Sequence, residues 1–171
     1  MANRSLGSQL ARVLGRALGR AGRRNHQPAD PKATGAPYPG DFRGIPEITY
    51  EPNPGNNKVA DPGEIVWTWV PFEEDHSQGK DRPVLVIGRD GPWLLALPLT
   101  SKDHDRDAAQ ESRAGRRWSD LGSGPWDRSG RASEVRVDRI VRVDPSRVRR
   151  EGAVLDPGRF NRVTAEVRGT T

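Results

Sequence analysis

A chain of 171 residues that is 33% hydrophobic and 30% charged, with 19 glycines and 15 prolines, builds one modest core and leaves a long stretch outside it. It has no cysteine, which excludes disulfides, cysteine-ligated zinc and thiol catalysis. The net charge of +5 favours polyanionic partners, although only four of the 28 basic residues are Lys, an Arg bias that a GC-rich coding sequence alone produces.

The first 29 residues carry six Arg and no acid. Leu6, Leu10, Val13, Leu14, Ala17 and Leu18 recur at helical spacing, so residues 4–20 read as a basic amphipathic helix. Such a helix is either an anchor for a membrane surface or nucleic acid, or a frayed solvated tail. Gly7, Gly15 and Gly19 each weaken it by about 1 kcal/mol relative to Ala, which favours the tail. The apolar positions are too interrupted for a secretory signal, and no apolar run approaches the roughly 18 residues that span a membrane. A cytoplasmic location is expected.

Residues 28–62 hold eight of the fifteen prolines and read as a linker. Ile45-Pro-Glu-Ile-Thr-Tyr50 is the exception, a candidate edge strand. The expected division is therefore a disordered tail and linker over 1–61 and a folded domain over 62–171.

All five Trp lie between Gly63 and residue 126. Glu64–Val70 reads as a strand with Ile65, Trp67 and Trp69 on one face. After the polar loop Pro71–Asp81 come two apolar runs, Pro83–Arg89 and Trp93–Leu99, around the turn signal Asp90-Gly91-Pro92. A three-residue loop there pairs residues whose numbers sum to 182 and sets Arg82 directly across from Thr100. Directly opposed residues share a face, with Cβ atoms about 5 Å apart. Beyond the polar segment Lys102–Arg117, Trp118 begins another short strand. Ser133–Val143 alternates, loses phase near Asp138 and resumes, which implies strand, bulge, strand. Asp144-Pro145 and Asp156-Pro157 each match an N-cap followed by Pro at N1. The first opens a single turn; the second opens a helix of about three turns with Phe160, Val163 and Val167 buried. Short strands with few helices make a mainly β fold, a small, partly closed barrel with a C-terminal helix.

A permanent cation beside a hydroxyl is a plausible phosphate-handling pair. Taken singly, Arg82 is a surface Arg capping a strand edge and Thr100 a β-former at a strand end; taken together, they favour function. His76 and His104 lie on loops at the same end of the hairpin, as auxiliary bases or as solvated loop residues. Neither has the neighbours a metal site needs, so no metal is expected. Lys80 and Lys102 either track phosphates or are ordinary surface charges. Trp67, Trp69 and Trp93 read as core; of the five, Trp118 and Trp126 are the best placed to stack on bases, or else they close the barrel.

Four segments in this order resemble the PemK/MazF family of toxins from type II toxin–antitoxin pairs: Pro62-Gly-Glu-Ile-Val-Trp67, Ser77-Gln-Gly-Lys-Asp-Arg-Pro-Val-Leu-Val-Ile87, Leu97-Pro-Leu-Thr-Ser101 and Glu134–Asp144. The Phe160–Val167 helix is similar to that family's C-terminal helix, so the resemblance covers about residues 62–168. It implies an SH3-like barrel of the CcdB/PemK type that forms a homodimer. It also implies an endoribonuclease that cuts single-stranded RNA without metal or cofactor and is neutralised by a cognate antitoxin. By position, Arg82 and Thr100 match the catalytic residues, and the family's mechanism places proton transfer on the Arg. Gln78 and Ser101 match polar neighbours, and with Lys80 and Lys102 they make the expected RNA-binding set. The chain departs from the pattern at Asp75-His-Ser77 and along Lys102–Arg117. Two other readings stand beside this one: a CcdB-like gyrase poison, and a non-catalytic barrel that binds nucleic acid or protein.

Overall fold

The structure, a computed structural model, describes residues 36–55, 59–101 and 114–168. The helix expected at 4–20, and Lys102 and His104, lie outside the described residues. In chain order the elements are β1 (Glu64–Pro71), β2 (Gly79–Asp90), β3 (Trp93–Thr100), β4 (Trp118–Gly122), β5 (Ser133–Arg136), β6 (Val141–Val143), β7 (Arg149–Val154) and α1 (Pro157–Arg168). The strands form one antiparallel sheet in the order β4-β5-β3-β2-β1-β7, with β6 also paired to β3. Strand β3 takes β6 along Leu94–Ala96 and β5 along Leu99–Thr100, which curls the sheet into a half-barrel. No helix among the described residues is long and apolar enough to cross a membrane.

The β2–β3 hairpin arrives at the expected register by another route. Asp90 pairs with Trp93, so the loop is the two residues Gly91-Pro92 rather than three, with Gly91 at φ +56° where an L side chain would be strained. That loop alone would offset the pairing by one. Ile87 is an extra residue between the pairs Val86–Ala96 and Gly88–Leu95, and this bulge restores Val84 to a position opposite Pro98. Val84–Pro98 is the last pair of this ladder, and beyond it Arg82 and Thr100 line a common cavity.

Both faces of the hairpin are covered. Leu85 and Ile87 join Leu97, Leu99, Phe160, Val163 and Val167 under the helix. Val84 and Val86 join Val66, Val70, Ala96 and Val141 on the other side. The reading of β1 as one apolar face needs correction. Val66 and Val70 are fully buried, whereas Trp67 and Trp69 are half-buried, because β1 sits between two layers and not at a solvated edge. Trp126 also departs from expectation: it is 2% exposed and donates its indole N–H to Ser133 Oγ at 3.0 Å, so it cannot stack on a base.

Strand β7 carries no sequence signal, since Arg149-Arg-Glu-Gly152 lacks alternation; it pairs at the open edge of β1. Asp144 caps a single 3-10 turn at Pro145–Arg147 by accepting from Ser146 N–H. Asp156 Oδ1 accepts from Arg159 N–H at 2.9 Å and opens α1, whose Phe160, Val163 and Val167 are buried.

Residues 36–55 fall within the expected linker, yet they lie against the barrel as a strap. Phe42 bridges Ile140 and Ile48 bridges Gly88, where an edge strand was expected over 45–50. Tyr50 packs on Phe160 and donates its hydroxyl to the Leu155 carbonyl at 2.8 Å. A proline-rich composition did not prevent docking, because three aromatic side chains and a few backbone bonds are sufficient anchors. The crossing at Gly88 is close: a Cβ there would stand 2.3 Å from the Glu47 carbonyl oxygen. Gly88→Ala is therefore expected to lift the strap while the sheet persists. Limited proteolysis would show faster cutting within residues 43–50 and an intact domain.

Candidate functional site

At the end of the sheet where β2 starts and β3 stops lies a cavity of about 320 Å³. Arg82 and Thr100 both line it, on the face opposite α1. Arg82 pairs with Thr68 of β1, and Thr100 ends β3, where it pairs with Glu134 of β5.

Four of the described arginines line this cavity, and three of them, Arg82, Arg136 and Arg139, differ in their surroundings. Arg136, at the end of β5, donates to Asp138 through Nε (3.1 Å) and NH2 (2.8 Å) and to Glu73 through NH1 at 2.8 Å. Burial opposes its charge, but the bonds and charges of Asp138 and Glu73 win and hold its pKa above the ordinary arginine value. Arg139 donates to Asp41 and to the Pro71 carbonyl. Arg82 forms no ion pair or side-chain hydrogen bond among the described residues. Burial first, then the positive charges of Arg139 and Arg136, push its pKa below the ordinary arginine value. Arg82 is thus a half-buried cation that repels its neighbours and has no carboxylate partner among the described residues, an environment that favours an anion. Among the described residues, five basic ones line the cavity (Lys80, Arg82, Arg116, Arg136, Arg139) against two acidic ones, Glu73 and Glu74.

The other expected site residues divide. Lys80 lines the cavity, with Nζ 5.8 Å from the centre of the Phe72 ring. Gln78 does not: its side-chain amide donates to Asp75 Oδ2 at 2.9 Å, and Ser77 donates to Asp75 Oδ1, so this pair closes the β1–β2 turn. Ser101 is exposed just past β3 and does not line the cavity. His76 is exposed and meets the Tyr38 ring edge-on at 5.0 Å between centroids, away from Arg82. Trp118 is half-buried and forms part of the cavity wall. Sequence reading passed over Arg136 and Arg139. The alternation Val135, Val137 was the available signal, since it turns Arg136 to the opposite face from the buried valines.

Fold and cavity together define a small curled β domain with a cationic pocket at one end of the sheet. The model of the PemK-like, MazF-like toxins of type II toxin–antitoxin systems matches residues 61–169, and the chain belongs to that family. Two solved structures are similar to it. MazF from Deinococcus radiodurans is 20% identical, covering 65% of this chain and 94% of its own, with a TM-score of 0.46. A chain of the MazE–MazF structure from the same organism is 24% identical, covering 65% of this chain and 90% of its own, with a TM-score of 0.39. Among curated proteins none matches the chain.

Proposed function

We propose that this toxin is a metal-independent endoribonuclease that cleaves single-stranded RNA at the Arg82–Thr100 end of the cavity, acts as a homodimer and is neutralised by a cognate antitoxin. The observation that carries this reading is Arg82: half-buried, without a carboxylate among the described residues, and sharing its cavity with Thr100. Family membership supports the toxin role and the antitoxin partner.

In this reading the ribose 2′-oxygen attacks the adjacent phosphorus, the 2′-O–P bond forms and the P–O5′ bond breaks. One proton leaves the 2′-hydroxyl and one reaches the departing 5′-oxygen, leaving a 2′,3′-cyclic phosphate. The guanidinium fork of Arg82 binds two non-bridging oxygens and stabilises the crowded phosphorane, while the Thr100 hydroxyl donates to one of them. Burial and the charges of Arg136 and Arg139 lower the proton affinity of Arg82, the direction that helps it pass a proton during the reaction. Trp118 offers a ring against which a flanking base can stack.

The test is purified full-length chain incubated with a long single-stranded RNA in EDTA. Discrete cuts ending in 2′,3′-cyclic phosphate, absent when the RNA carries 2′-deoxy sugars, are the expected result. Intact RNA accompanied by stalled gyrase–DNA complexes would replace this reading with a gyrase poison. Intact RNA without them would leave a binding barrel.

A further inference from the structure

Arg139 faces the same cavity as Arg82, but its donors are engaged elsewhere. Nε reaches Asp41 Oδ2 at 2.8 Å, and NH2 reaches both Asp41 Oδ1 at 3.2 Å and the Pro71 carbonyl at 2.9 Å. Asp41 belongs to the strap, upstream of the residues that match the family. Its place is fixed from several sides. The Tyr38 hydroxyl donates to the same carboxylate, Phe42 N–H donates to the Ile140 carbonyl at 2.8 Å, and Arg142 NH1 donates to the Gly40 and Asp41 carbonyls at 3.0 Å each. Burial would raise the Asp41 carboxyl, but the hydrogen bonds from Arg139 and Tyr38, with the charges of Arg139 and His76, outweigh it and hold its pKa below the ordinary value.

We infer that the strap supplies a built-in counter-ion to the cavity: Asp41 pins Arg139 into the wall and offsets part of its charge, so that an incoming phosphate is directed to Arg82 and Thr100. Without Asp41, a second unpaired guanidinium stands beside Arg82 and competes for the same oxygens. The phosphate is then held more tightly but in the wrong place. Asp41 is thus a positioning residue acting through Arg139, and Tyr38 supports it. The inference rests on the reading that the cavity takes RNA.

The test uses the full chain and a non-cleavable 2′-O-methyl oligoribonucleotide, with binding measured across a salt series for wild type, Asp41→Asn, Arg139→Ala and the double variant. Asp41→Asn is expected to bind several-fold tighter, with a salt slope steeper by about 0.7, the increment for one added phosphate contact on a single strand. That gain should vanish in the Arg139→Ala background, and Asp41→Asn should cleave ordinary RNA more slowly despite binding it better. A purely structural role predicts no such opposition between binding and turnover. Should Asp41→Asn fail to fold, Tyr38→Phe must show a smaller gain that also requires Arg139. Unchanged or weaker binding by Asp41→Asn, or a gain that survives without Arg139, overturns the inference. The binding pattern without any cleavage by wild type would remove the nuclease reading alone; no binding by any form would remove both.

Discussion

Arg82→Ala is expected to slow RNA cleavage by about 10²–10³-fold, the loss typical of removing one preorganised donor to a developing anion. The expectation follows from the asymmetry among the three guanidiniums. Arg136 and Arg139 already have carboxylate partners, so neither can take over without first breaking an existing pair. Arg82→Lys keeps the charge but loses the planar fork, and an intermediate rate is expected. Stability should behave differently from activity. The Arg82 side chain makes no hydrogen bond or ion pair among the described residues and is repelled by Arg139 and Arg136. Its removal relieves that repulsion, so thermal unfolding should shift by no more than about 0.5 kcal/mol, the usual range where no specific contact is lost. Single-turnover cleavage of a labelled oligoribonucleotide, together with a melting curve on the same sample, checks both halves. An unchanged rate would move the chemistry away from Arg82.

How much of this could be read in the sequence depends on whether a signal was local. The two strands within 133–143, the caps at Asp144 and Asp156 and the buried stripe of α1 are local periodicities and form as expected, although residues 137–140 make a bent break between the strands where a bulge was expected. The register at Val84–Pro98 was legible because the offset depends on a sum: a shorter loop and the bulge at Ile87 together give the same register as a longer loop. Features set by distant segments were not legible. Whether Trp67 or Val66 is buried depends on what covers each face of β1, and alternation cannot say which layer is thicker. The strap is the clearest case. Its composition reads as a linker, but Tyr38, Phe42 and Tyr50 find sites nearly a hundred residues away or more along the chain, including Ile140 and Leu155. Asp138 is a chain neighbour of Arg136, but the other acidic partners, Glu73 for Arg136 and Asp41 for Arg139, come from distant segments that only the fold brings in.

Trp126→Ala is expected to destabilise the domain by about 3–5 kcal/mol, as large-to-small changes of a buried indole do. Trp126 does more than fill space. Its N–H bonds Ser133 Oγ, its carbonyl accepts from the indole of Trp67 at 3.1 Å, and Arg159 of α1 stacks over its ring at 5.5 Å. The backbone of Trp126 thus ties the β4–β5 connection to β1, and its side chain ties it to β5 and to the helix. The melting temperature should fall on the order of 10–20 °C for a domain of this size. Trp126→Phe keeps most of the ring and loses the Ser133 bond, worth about 1 kcal/mol, so it should fall much less. The connection that Trp126 anchors leads into β5, where Glu134 pairs with Thr100 at the edge of the cavity. Below its lowered melting point the folded fraction of Trp126→Ala should still bring Arg82 and Thr100 together, because their register is set by β2 and β3 and not by this loop. Cleavage per folded molecule at low temperature is therefore expected to stay within a few-fold of wild type while thermal stability collapses. If instead activity were lost in fully folded Trp126→Ala, the loop would have to belong to the site.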